Sequence, residues 1–416
     1  MRGMMTLSPA VLGQPNLIFK TLLIIFQPWV FFGLATFVIS MASHMFVLSK
    51  VDLSFAYPFL SLAYVAVAVL AWQLFGEDLG AYKIAGIAFI CVGTVLVDLA
   101  ERGEKVLVAD INKSDLPHYA TVDHVHCDVT NSASVSGVPV DGDDMVYNLS
   151  AMMLSPIQKR IDRYPFFYPV NTFGAANIMA HTAASGASQL VQYTTDMVYG
   201  KTVKTPQDES HPISPLGHYG GSKAETEAIA DDWRMRGLKI TIVRPRLIIG
   251  PGRLGILGKL FKLIDMNLPV PMIGAGKNPY QFISVYDCAE VARLAWEHGV
   301  PNKAYNLGSD NPPPVRKLLG DLIRSAGSKS ILLPTPGFAV KWTLAALDQL
   351  NMPLMDPEQY LIADEYCVRD TEAAKRDFGW APKYRDEDML QAAYAEYRKA
   401  RDSGLAVGNS TVVAAE

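Results

Sequence analysis

The hydrophobic and polar positions of this chain follow two different patterns, and the change falls near Leu99. Before it, apolar residues run on without interruption. Trp29 to Leu48 and Phe55 to Phe75 carry no formal charge. Each is long enough to cross a hydrocarbon core, which takes roughly 20 helical residues. A third run, Ile84 to Val97, reaches that length when extended back to Leu79, with Lys83 snorkelling to the interface. After Gly103 the pattern alternates. Strand-like KVLVAD, HVHCDV, DMVYNLSA, QLVQYTT and KITIVRP are interleaved with helical stretches around Asn171–Ser185 and Ser222–Arg236. Strands alternating with helices predict a parallel sheet covered on both faces, a doubly wound α/β fold whose ligands bind at the carboxyl ends of the strands.

Charge sharpens that division. Residues 1–99 hold four basic and four acidic residues, and the other 33 Lys/Arg and 37 Asp/Glu follow. The expected organisation is an N-terminal segment over 1–27, transmembrane helices over 28–97, a dinucleotide-binding domain over 98–245, a substrate subdomain with returning elements over 246–402, and a flexible tail over 403–416. Three spans put the two ends of this region on opposite sides; with a soluble enzyme after Leu99 expected in the cytoplasm, Lys50 lies in a cytoplasmic turn, in agreement with the positive-inside tendency. Asn16–Gln27, with Lys20 amid Leu and Ile, suits an interfacial segment. A net charge of −4 gives no basic character for nucleic acid. The four cysteines are scattered without a CxxC pair, so neither a metal site nor a disulfide framework is expected.

The chemical signal is Tyr219-Gly-Gly-Ser-Lys223. Four residues apart, the tyrosine and lysine share one helix face. A free phenol titrates at about 10, too high for a general base at neutral pH. A nearby ammonium favours the phenolate and lowers that value. Such a pair exchanges a proton with a substrate hydroxyl while hydride moves to or from a nicotinamide. Thr195, at the end of a strand, offers a hydroxyl for the substrate oxygen.

Two resemblances build on these residues. LSKVDLSFAYPFLSLAYVAVAVLAWQLFGEDLGAYKIAGIAFICVGTVLV, within residues 28–97, resembles small multidrug-resistance-like transporters, closest to subunits implicated in flipping lipid-linked aminoarabinose. The first of that family's four helices is missing here. A pairing of two chains would complete the bundle. Residues 100–400 resemble the extended short-chain dehydrogenase/reductases, the NAD-dependent epimerases and dehydratases. The phrases VLVADI (106–111), CDVTN (127–131), VYNLSA (146–151), VNTFGAANIM (170–179), YTTDMVYG (193–200), YGGSKAETE (219–227), VRPRLIIGPG (243–252), FISVYDCA (282–289) and YNLGS (305–309) occur in that family's order.

This second resemblance implies a Rossmann domain, a smaller carboxyl-terminal substrate subdomain and a nicotinamide cofactor. It makes Thr195, Tyr219 and Lys223 the catalytic triad, with Lys223 also bonding the nicotinamide ribose. Asp110 would accept bonds from the adenosine ribose, favouring NAD over NADP. Asp128 and Val129 would flank the adenine. Leu149, Ser150 and Ala151 would line the cofactor, with Asn171 behind them and Pro245 bordering the nicotinamide. Plainer readings stay open. CDVTN also fits a strand-end turn and Asn171 a helix cap, while Arg244 and Arg246 would pair with surface carboxylates.

The pattern breaks at the phosphate site. G-x-x-G-x-x-G is replaced by Gly86-IAFICV-Gly93, with no β-rich strand before it. Either the last membrane helix replaces the first strand and its loop, or 84–97 folds as a distorted loop. Met197 stands where a glutamate completes the Thr-Asp-Glu signature of sugar 4,6-dehydratases, which disfavours dehydration. Tyr280 and Gln281 stand where many epimerases carry a diphosphate-gripping arginine. The expected function is a membrane-anchored NAD-dependent oxidoreductase or epimerase on a sugar nucleotide or lipid-linked sugar. The alternatives are 3β-hydroxysteroid-dehydrogenase-like oxidation of an apolar alcohol, or a catalytically impaired fusion associated with transport.

Overall fold

A computed structural model describes residues 99, 102–111, 122–154, 157–250 and 257–402. The chain divides into two compact units, Met1–Gly80 and Ala81–Glu416. All the described residues belong to the second. The expected membrane spans, the segment 84–97 and the tail after 402 lie outside the described residues. Among the described residues no helix is long and apolar enough to cross a membrane.

At Leu99, the first described residue, the carbonyl accepts from the N–H groups of Arg102 and Glu104. Gly103 turns the chain at φ +82°, a conformation glycine adopts without a Cβ penalty. β1 (Val106–Asp110) follows and pairs in parallel with β2 (Val122–His126). β2 starts two residues before the stretch the sequence pattern indicated and ends ahead of Cys127. The CDVTN turn then closes with Asn131, whose side chain accepts from the N–H groups of Ala133 and Ser134 and caps the short helix Ser132–Ser136.

β3 (Val146–Asn148), β4 (Gln189–Tyr193), β5 (Lys239–Pro245) and β9 (Ala304–Leu307) form a second, wholly parallel sheet in the order β3-β4-β5-β9. Six consecutive residues of β5 are buried, as a central strand covered on both faces requires. Alternation sends its neighbours to opposite layers. Val191 and Val243 pack with Tyr305 against Val291 and Ala292 of the helix Val285–Glu297. Leu190, Ile240 and Ile242 pack against Met179 and Ala230 on the other side. Each such aliphatic side chain contributes about 1.5–3 kcal/mol by burial. Among the described residues no strand joins β1 to β3, so the sheet is in two pieces. The break falls where a doubly wound order places its first strand.

The carboxyl-terminal part of the chain adds two parallel pairs. β6 (Leu247–Ile249) lies beside β8 (Phe282–Ser284), and β7 (Val270–Ile273) beside β10 (Leu332–Thr335). Its core gathers Phe261, Leu322, Tyr394 and Tyr397, the last two from the helix Asp386–Asp402.

Candidate active site

Parallel strands put the ends of β3, β4, β5 and β9 at one edge of their sheet. The helix His218–Met235 starts four residues earlier than the sequence pattern indicated, so Tyr219 is in its first turn and Lys223 in its second. Both are buried, Lys223 at 2% exposure. Its ammonium donates to the carbonyls of Ser150 (3.4 Å) and Tyr193 (3.3 Å), joining the ends of β3 and β4. Burial pulls the Lys223 ammonium down to about 8, with the carboxylate of Glu227 opposing. It therefore remains largely charged at neutral pH while holding its proton loosely.

Thr195 lies two residues past the end of β4. Its hydroxyl accepts from the Met197 N–H (3.2 Å) and caps the single turn Asp196–Tyr199. That turn rests on the start of the tyrosine helix, since a Cβ added at Gly220 would sit 2.6 Å from the Met197 carbonyl oxygen. The structure therefore brings Thr195, Tyr219, Lys223 and Ser150 into one neighbourhood.

The loop Leu149–Ala151 is fixed from both sides. The Ser150 N–H and hydroxyl donate to Asn148 Oδ1 at 3.1 and 2.7 Å. Asn148 Nδ2 donates to Gln192 (2.8 Å). Asn171 holds the next residue, accepting from Met152 N–H (2.8 Å) and donating to its carbonyl (3.0 Å) and to Ser222 Oγ (3.0 Å). Asn171 is thus no helix cap. It lies within a π-helical turn, Pro169–Gly174, between the helices Arg163–Tyr168 and Ala175–Ala184. Pro169 has no N–H for the carbonyl four residues back and crowds it. The helix widens there by one residue, a change that re-aims the side chains within it.

The remaining expected cofactor residues sit at strand ends. Asp110 closes β1, and the Cys127 N–H donates to its carbonyl (3.0 Å). Asp128 folds back on its own turn, its Oδ1 accepting from Thr130 N–H (2.9 Å) and hydroxyl (2.7 Å). The Val129 carbonyl accepts from Asn177 (2.9 Å), which ties this half to the helix that follows the Asn171 turn. Pro245 closes β5 opposite Leu307.

Both arginines of VRPR are buried, not paired with surface carboxylates. Arg244 donates to Glu227 (Nη2–Oε2 2.6 Å) and to the Tyr199 hydroxyl (2.7 Å). Arg246 and Arg369 both donate to Asp196 Oδ2, at 2.6 and 2.8 Å. Burial alone would raise the Asp196 carboxyl, but the two guanidinium groups outweigh it and hold it below the usual range. Gln281 is committed as well, donating to the Ser309 carbonyl (2.8 Å) and accepting from the Arg369 N–H (2.8 Å).

Two carboxyl groups escape sequence reasoning. Glu227 is four residues beyond Lys223, so the spacing Tyr219–Lys223–Glu227 along one helix face is the signal that identifies it. Glu358 has no local signal. It comes from the short helix Pro357–Tyr360 and accepts from the Gly220 N–H through both oxygens, at 3.1 and 2.9 Å. Burial, then Asp356, push it up to about 8. Gly217, the residue before the tyrosine helix, contributes no side-chain cap, and Glu358 takes that place.

Comparison with known proteins agrees with this architecture. The family model described as NAD dependent epimerase/dehydratase matches residues 91–308. The chain is 28% identical to an uncharacterised protein, y4nG, of Sinorhizobium fredii, over 73% of this chain and 75% of that protein. It is 26% identical to a 2-alkyl-3-oxoalkanoate reductase of Stenotrophomonas maltophilia, over 70% and 92%. It is also 26% identical to an N-acetyl-alpha-D-glucosaminyl-diphospho-ditrans,octacis-undecaprenol 4-epimerase of Escherichia coli O157:H7, over 59% and 73%. Among solved structures, a UDP-glucose 4-epimerase of Thermotoga maritima aligns with a TM-score of 0.60 at 21% identity, covering 76% of this chain and 98% of that one. With its matched region spanning both halves of the strand-end site, the chain belongs to the NAD dependent epimerase/dehydratase family.

Proposed function

We propose that this chain is a membrane-anchored, NAD-dependent oxidoreductase or epimerase acting on a sugar nucleotide or lipid-linked sugar. The observation that carries the chemistry is the buried Lys223 ammonium, one helical turn after Tyr219, bonded to the carbonyls that end β3 and β4. A nicotinamide bound there supplies the hydride acceptor or donor. Tyr219 Oη takes the proton of the substrate hydroxyl as the carbon beneath it is oxidised. The Lys223 charge stabilises the phenolate. Thr195 Oγ1 holds the substrate oxygen. Asp110 suits the adenosine ribose and thus NAD. The lipid link draws on two features: the uncharged runs before Leu99, and the similarity to the undecaprenol-linked epimerase.

A second reading has its own support. Gln281 has its amide spent on Ser309 and Arg369, so the diphosphate grip of many epimerases is lacking at that position. The reductase of Stenotrophomonas is matched over 92% of its length. These features favour an apolar alcohol or ketone.

Purified full-length protein in detergent, titrated with NAD, separates enzyme from impaired fusion. Saturable binding supports the first, and its absence refutes it. Turnover of UDP-N-acetylglucosamine and its undecaprenyl-linked form, against a 2-alkyl-3-oxoalkanoate, then decides the substrate class. Tyr219→Phe should abolish turnover and leave NAD affinity largely intact.

A further inference from the structure

The helix Gly337–Gln349 shows an apolar stripe to solvent. Among its residues only Asp348 is buried. Two charged side chains fasten it: Lys341 Nζ donates to the Leu361 carbonyl (2.6 Å) and pairs with Asp364 (2.5 Å), and Asp348 pairs with the buried Arg163 (2.5 Å). Val340, Leu344 and Leu347 are half-buried on the inner side. Phe338 and Trp342, one turn apart, are 76% and 78% exposed, and Leu350, just past the helix end, is 69% exposed. Arg160 donates to Gln349 and Asn351, which brings the 72% exposed Ile161 beside the same end. Met352 and Leu354 continue the exposed run. A water-facing helix normally buries its apolar stripe and shows its polar side. Contiguous exposed apolar surface of this kind marks a protein or membrane contact.

We infer that the Phe338–Trp342 face of this helix, with Ile161 and the Leu350–Leu354 segment, rests on the surface of the lipid bilayer. The inference depends on the membrane-anchored reading above and adds the face by which the soluble domain meets the lipid. Three observations choose lipid as the occupant. The apolar run Ile84–Val97 stops two residues before Leu99, the first described residue of the folded domain, so a span there leaves almost no tether. The exposed residues are a tryptophan, a phenylalanine and aliphatic side chains, the set that partitions to the interfacial zone of a bilayer. The surface also leads to the active site. Asp348 and Asp356 both pair with Arg163, and Asp356 caps the turn carrying Glu358, which holds the tyrosine helix. A domain seated this way holds that relay at headgroup level, where the sugar of a lipid-linked substrate lies.

The test uses the full chain in phosphatidylcholine–phosphatidylglycerol vesicles, with Cys91→Ser to remove the cysteine outside the described residues. An environment-sensitive fluorophore is placed at Trp342→Cys, at Phe338→Cys, and at Met235→Cys, a control position 80% exposed on another helix. Retained NAD binding shows that each labelled chain is folded. Loss of most of the emission at 342 and 338 with spin-labelled lipid, and none at 235, is the expected result. Vesicle-associated chains whose 342 and 338 probes are quenched by aqueous iodide, or by neither agent, overturn the lipid-facing surface while leaving the anchor standing. Protein that does not float with vesicles refutes the anchor and this surface together.

Discussion

The Glu358 carboxyl receives the Gly220 N–H in the first turn of the helix that carries Tyr219 and Lys223. The two residues are 138 positions apart, so one contact fastens the carboxyl-terminal part of the chain to the candidate catalytic helix. Space for it comes from missing side chains. A Cβ at Gly217 would approach Glu358 Oε1 to 2.5 Å, and one at Gly220 would approach Oε2 to 2.8 Å.

Gly220→Ala should therefore destabilise the fold by about 1–3 kcal/mol, the usual cost of overpacking. Adding Glu358→Ala should restore only part of this, because the Met197 carbonyl oxygen still lies 2.6 Å from the new methyl group. Chemical denaturation of the single and double variants checks both points. Full rescue would show that Met197 yields.

The same carboxyl makes stability depend on pH. Glu358 titrates at about 8 when folded against 4.5 ordinarily. Between those values the native state holds a proton that the unfolded chain has released. Its contribution is fully present below about pH 4.5 and lost as pH rises to about 8. Glu358→Gln removes this dependence. Relative to the variant, the natural protein should lose of order 1–3 kcal/mol between pH 5 and 8. Parallel stability curves for the two proteins would contradict the assignment. Asp386, pushed up to about 7 by burial, has the same sign and is common to both.

Asp196 is the anion shared by two buried guanidinium groups. Asp196→Asn leaves Arg246 and Arg369 without their shared anion and should cost about 3–5 kcal/mol in denaturation experiments. A proton-donor role would give the opposite signature, a stable protein without turnover.

Asn171→Asp removes the two N–H groups given to the Met152 carbonyl and Ser222. Leaving buried acceptors unpaired costs about 1–3 kcal/mol. Because Asn171 anchors the residue after Leu149–Ala151, NAD affinity measured by titration should fall as well. Unaltered affinity would remove this loop from the cofactor site.

Much of the fold and the candidate site is legible in the amino-acid sequence. β1 and β5 are short runs rich in β-branched residues and bounded by turns, and local pattern suffices for such elements. Spacing alone puts Tyr219 and Lys223 on one helix face, and the ordered phrases locate every strand-end residue. The widened turn around Asn171 is partly hidden. Pro169 signals a disturbed helix, but the choice between a break and a π turn depends on what packs against it. The burial of Arg244 and Arg246 is not legible, because charge suggests exposure and only distant acids make burial tolerable.

The sequence by itself indicated the alternation of strands and helices in a parallel sheet, and put Tyr219 and Lys223 on one helix face. These depend on periodicity and on spacings of four residues or fewer, which the backbone geometry fixes locally. Tertiary structure decided which charge meets which: Asp196 between Arg246 and Arg369, Glu227 with Arg244, Glu358 at Gly220. It also decided that Phe338 and Trp342 of the helix Gly337–Gln349 stay exposed. Those pairings join residues 17 to 173 positions apart. They follow from desolvation, which forces each buried charge to find a partner that only the folded chain can supply.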